Sequence, residues 1–141
     1  MSKGNTFEND WLKLVFNGTA IANIADNAAA SPLTNLYVAL HTADPGEAGD
    51  QTTNEATYTG YARVAVTRGA GWVVTGNSVS PAAYVEFPVA TAGTETITHF
   101  SVGVASSGAS KLLYSGLATP NVAVVAGVLP RLTTTSTITE D

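Results

Sequence analysis

The chain has 141 residues, of which 45% are hydrophobic and only 12% charged, and its net charge is −5. That acidic balance argues against direct nucleic-acid binding, which needs a basic stripe, and gives no support to attachment at an anionic membrane. With no cysteine, disulfides, thiolate catalysis and Cys-based zinc sites are excluded.

One domain spanning residues 1–141 is expected at this length. Ordinary soluble domains carry about 25% charged residues, so this surface must be built largely from Thr, Ser, Asn, Gly and Ala. Such a surface suits close contact with other proteins, because few charges need desolvating. At the N-terminus Lys3 is followed by Asn5, Glu8 and Asp10 instead of an apolar run, so no signal peptide is expected there. No apolar run reaches transmembrane length. Synthesis in a reducing cytoplasm is expected.

A helix is predicted over residues 5–17. Asn5 or Thr6 caps it, and Glu8 stands where a capping box after Asn5 needs it. Phe7, Trp11, Leu14 and Val15 share the i, i+4, i+7, i+8 spacing of one apolar face, which Leu12 and Phe16 widen. Asn17-Gly18 stops it. Trp11 and Trp72 are expected in the core. Residues 19–31 are rich in Ala and Asn and admit a further helical turn.

From residue 33 to 141 the period becomes that of strands. Leu36, Val38 and Leu40 alternate with Tyr37, Ala39 and His41, and Asp44-Pro45-Gly46 turns the chain. Residues 43–60 form a long loop carrying Asp44, Glu47, Asp50 and Glu55. Strands are predicted near 61–68, 72–75, 84–88, 96–105, 111–117, 121–127 and 132–139, separated by Gly, Pro and Asn turns. Phe100, Val102 and Val104 alternate with Ser101, Gly103 and Ala105. Thr133 to Thr139 reads as an edge strand or as an arm reaching a neighbour. The predicted fold is all-β, a jelly-roll-like β-sandwich with a short N-terminal helix.

Chemistry is sparse. His41 and His99 make no metal triad alone. The acids of the 43–60 loop lack EF-hand spacing and read as a solvated loop. No nucleophile elbow, P-loop or dinucleotide fingerprint is present. No catalytic, cofactor or metal residue is nominated. Arg63, Arg68 and Arg131 suit ion pairs within the fold or with a partner, since Arg binds carboxylates bidentately. Tyr58 and Tyr61 flank Gly60 beside the acidic loop and are expected to be exposed. Tyr58, Tyr61, Arg63 and Arg131 are therefore the candidate partner-contact residues.

The segments Leu36-Tyr37-Val38-Ala39-Leu40-His41-Thr42-Ala43-Asp44-Pro45-Gly46-Glu47 and Tyr58-Thr59-Gly60-Tyr61-Ala62-Arg63-Val64-Ala65-Val66 resemble a family of small tailed-phage virion proteins. Its members are described as capsid cement (decoration) proteins or as tail-fibre-like proteins. The resemblance implies a non-enzymatic virion protein on the outer capsid surface. It would bind the major capsid protein and itself, as a dimer or trimer, and stabilise the head. The alternative is a tail-fibre or tail-tip protein that binds a host receptor or glycan. Tyr58, Tyr61 and Trp72 would then stack on sugar rings, with Asp44, Asp50 and Asn54 bonding hydroxyls.

Overall fold

The computed structural model describes residues 5–21 and 33–140. The fold is all-β with one short N-terminal helix, consistent with a β-sandwich. The chain forms two compact units. The first comprises Met1–Asn35, Val66–Tyr84 and Thr133–Asp141, and the second Leu36–Ala65 and Val85–Leu132.

In the first unit, helix α1 (Asn5–Leu12) runs into a π-helical turn, Lys13–Asn17. Because α1 begins at Asn5, the position of its cap lies outside the described residues, as does the helical turn expected beyond Ile21. Gly18, at φ 69°, ends the element as anticipated, its N–H donating to the Lys13 carbonyl. Only a residue without Cβ takes that left-handed angle without strain.

The buried stripe differs from the expected one. Leu12 and Phe16 are fully buried while Trp11 is 37% exposed. The anchor is Phe16, whose ring meets Trp72 edge-to-face at 4.7 Å. Arg68 holds the helix end from outside: its guanidinium donates to the carbonyls of Val15 (2.8 Å), Leu14 (2.6 Å) and Leu33 (3.0 Å). Asn17 adds bonds to the Gly69 and Trp72 carbonyls. Terminal carbonyls left open by the helix are thus met by side chains distant in sequence.

Strands β3 (Trp72–Thr75) and β4 (Ser78–Pro81) make a hairpin around Gly76-Asn77. Gly76 takes φ 61°, as the first position of such a two-residue loop requires. Strand β4 was not anticipated, because Ser-Val-Ser-Pro is short and offers only Val79 and Pro81 to the buried face. The tail resolves as an edge strand: β9 (Ile138–Thr139) pairs with β4 through Val79 and Ile138.

The second unit holds β6 (Glu95–Gly103), β7 (Leu112–Val124), β1 (Asn35–His41) apart from Asn35, and the first half of β2 (Val64–Thr67), in a sheet of order β2-β1-β6-β7. β1 and β6 are antiparallel, with Val38 opposite Val102 and His41 opposite His99. The strands expected at 111–117 and 121–127 are one strand, because Thr119-Pro120 bulges without turning. The register against β6 shifts there, between Ile97 and His99. Proline is tolerated on an edge strand at a bulge because its missing N–H costs no ladder bond. β5 (Val85–Glu86) and β8 (Arg131–Leu132) form a separate ribbon. Leu36, Val38, Leu40, Ile97, Val102, Phe87, Val124 and Leu132 supply this unit's core.

Candidate functional site

β1 is covered on both faces. Its second half, Ala39 to His41, is buried throughout, because the 43–60 loop folds back over the strand. The Ala56 N–H donates to the Leu40 carbonyl at 2.8 Å and the Thr42 N–H to Asn54 O at 2.9 Å. Asp44 and Asp50 cap turns inside the loop by accepting from the Gly46 and Thr52 N–H groups at 2.8 and 2.7 Å. The bonds from Thr52 hold the Asp50 carboxyl below the usual range. The acidic loop is therefore a folded flap whose aspartates build its turns.

Beneath the flap lies a cluster of polar side chains centred on Arg63. Its guanidinium meets Glu55 side-on, Nε to Oε1 at 2.6 Å and Nη2 to Oε2 at 2.8 Å. Other guanidinium N–H groups donate to the carbonyls of Ala105 (3.0 Å) and Gly108 (2.9 Å), and to Ser110 Oγ (3.2 Å). Tyr61 Oη donates to Glu55 Oε1 at 2.9 Å and accepts from the Leu40 N–H at 3.1 Å. Burial pushes the Tyr61 hydroxyl's pKa well up. Charge-assisted bidentate bonds of this kind are the strong ones.

Gln51 links this half of the cluster to the other. Its Oε1 accepts from Ser110 Oγ at 2.8 Å, and its Nε2 donates to the Tyr37 carbonyl at 3.0 Å and to Ser101 Oγ at 3.3 Å. Space for that amide exists because residue 103 is glycine: a Cβ there would stand 2.1 Å from Gln51 Oε1.

His41 Nδ1 lies 2.9 Å from the Thr53 carbonyl and Nε2 2.7 Å from Ser101 Oγ. A carbonyl only accepts, so Nδ1 carries the proton and Nε2 accepts a hydrogen bond from the Ser101 hydroxyl. This Ser–His contact has the distance of a nucleophile and its base. Both residues are 0% exposed, however, so no substrate reaches them, and His41 bonds a carbonyl where a triad has a carboxylate. The chemistry of the cluster is cohesion between flap and sheet.

Burial lowers the His41 pKa below its ordinary 6.5, partly opposed by the Thr53 carbonyl and Glu55, and assisted by Arg63 and His99. The folded protein thus binds fewer protons here than the unfolded chain. This contribution to stability is present above pH 6.5 and is lost as the pH falls through the lowered folded value. Chemical denaturation at a series of pH values below neutrality should show stability falling. The fall should be shallower in His41→Gln, which has no proton to take up.

The exposure expected of Tyr58 and Arg63 is absent: they are 3% and 8% exposed. Tyr58 donates to the Pro88 carbonyl at 2.9 Å and packs edge-to-face on Tyr61. Burial and the Glu95 charge push its pKa up to about 12. Glu95 also accepts from the Thr57 and Tyr58 N–H groups, both at 3.1 Å. Tyr61 is half-buried and stacks on Phe87. Arg131 is exposed and lies 3.8 Å from Glu86, its cross-strand neighbour, a surface pair worth at most about 1 kcal/mol. Arg68 caps the helix end. Of the aromatic set drawn for sugar stacking, Tyr58 and Trp72 are buried, and Asp44, Asp50 and Asn54 are engaged in the flap. Glu55 and Gln51, central to the cluster, were not singled out as site residues. The one sequence hint was a Glu and an Arg eight positions apart across two tyrosines.

These interior polar groups hold the chain's own loops to a β-sheet. Residues 2–139 match the family described as Podophage GP4 fiber I protein gp80, and the chain belongs to that family. It is thus a phage virion protein. Comparison with curated proteins gave no match.

Proposed function

We propose that this protein is a non-enzymatic structural part of a podophage fibre, working as a homo-oligomer. The match over residues 2–139 to a family described as a fiber protein carries this reading. Two features support it. The buried polar cluster stiffens the flap against the sheet and leaves Ser101 and His41 inaccessible. The low charge of the surface reduces the desolvation that assembly costs. Of the four candidate contact residues, Arg131 has the accessibility a partner contact needs.

Fibre placement takes precedence over the capsid-cement placement because the family description names a fibre. Locating the chain in intact particles by cryo-electron microscopy tests this. Density at the tail in a small fixed copy number is expected. A repeated lattice of copies over the head, bound to the major capsid protein, would overturn the fibre reading and establish the cement role.

A further inference from the structure

β7 ends the four-stranded sheet, and no other strand pairs with its outer edge among the described residues. Sheets normally guard such an edge with charge, above all Lys, or keep it short. β7 is 13 residues long and contains no Asp, Glu, Lys or Arg. Its guards are Pro120, at one bulge, and a register shift at Leu113. The segment Leu112–Leu117 faces Gly103–His99 across that shift and lies before Pro120. Leu117 there is 68% exposed, the highest value among the large hydrophobic residues described.

We propose that a second copy of this chain pairs with β7 along Leu112–Leu117, antiparallel about a twofold axis, and covers Leu117. This rests on the homo-oligomeric reading above and gives it a surface. Symmetry selects a second copy as the occupant, and the charge distribution permits it. Each copy carries −5, so two copies repel wherever their acidic segments face each other. The stretch 112–130 has no charged side chain and lets them meet without that repulsion. An open edge needs a strand whose amides and carbonyls match its own. An identical strand run antiparallel does so by symmetry, each residue meeting its counterpart's partner. With no charge along the segment, no like-charge pair is forced together across the new ladder.

Sedimentation equilibrium of the full chain, from about 1 to 100 µM to cover ordinary interface affinities, tests this independently of where the protein sits in a particle. Wild type should show a monomer–dimer equilibrium. Amide exchange at residues 112–117 should slow as concentration rises. Leu117→Lys should raise the dissociation constant at least about tenfold, the effect of some 1.4 kcal/mol. Ser115→Lys, at an exposed position on the same segment, should do likewise, so the test survives if one variant folds poorly. Val73→Lys, at a 49% exposed site on β3, should leave association unchanged. A monomer throughout, a closed trimer, or a dimer indifferent to both β7 variants would overturn the proposal. So would β7 amides that become protected only when purified virions are added, which would assign the edge to another virion protein.

Discussion

Replacing Arg63 with methionine is expected to lower the unfolding free energy by about 3–5 kcal/mol, the usual cost of removing one partner from a buried ion pair. The side chain of Arg63 is 2% exposed and that of Glu55 16%, so the carboxylate left behind is poorly reached by water. The Ala105 and Gly108 carbonyls lose their donor in the same step. Stability of a domain is commonly only about 5–15 kcal/mol, so the loss is a large part of the whole. Urea denaturation followed by circular dichroism should show a lower midpoint with an unchanged slope. Adding Glu55→Leu to Arg63→Met should recover part of the loss, because the orphaned charge is then gone. A midpoint shift worth under about 1 kcal/mol in the single variant would mean that the pair is solvated and the flap detachable.

Phe16→Ala should cost about 3–5 kcal/mol. Phe16 is 0% exposed and its ring contact with Trp72 is edge-to-face, so truncation opens a cavity against a rigid neighbour. Both tryptophans lie in the first unit, so tryptophan fluorescence follows this unfolding directly. Trp11→Ala is the contrasting variant. Had Trp11 been the core anchor, it would carry the same cost, but at 37% exposure it should cost about 1 kcal/mol or less, as surface changes do. Equal costs for the two variants would return Trp11 to the core.

The Trp11 expectation went astray for a definite reason. By spacing in the sequence, Phe7, Trp11, Leu14 and Val15 share one face, which Leu12 and Phe16 widen. Periodicity does not choose which part of so wide a face is buried. The choice is made by Trp72, Arg68 and Asn17, which fix the helix end through contacts spanning 50 residues or more. Elements of local origin were legible: the helix stop at Gly18, the β1 and β3 strands and the Gly76-Asn77 turn. The polar cluster was not, since Arg63 reaches Ala105, Gly108 and Ser110 across 42 to 47 positions. Gly103 looked like one small residue in an alternating strand. Its meaning, a berth for Gln51, exists only once the flap has folded back. The same holds for Thr119-Pro120, which reads as a turn in isolation and becomes a bulge when β6 runs alongside.

The inward-facing arginines have a consequence outside the cell. Trypsin-like proteases need an accessible Lys or Arg in a segment that can be drawn into their cleft. Arg63 is sealed under the flap, and half-buried Arg68 is clasped to the helix end. Among the described residues only Lys13, Lys111 and Arg131 remain, and Lys13 lies in the π-helical turn while Arg131 lies in β8. Among the described residues that leaves Lys111, at the approach to β7, as the one exposed basic site outside regular structure. A virion part meets degradative enzymes with no chaperone to restore it. Economy in basic residues, with two of them locked by hydrogen bonds, confines tryptic digestion of the described residues to a single short stretch of chain.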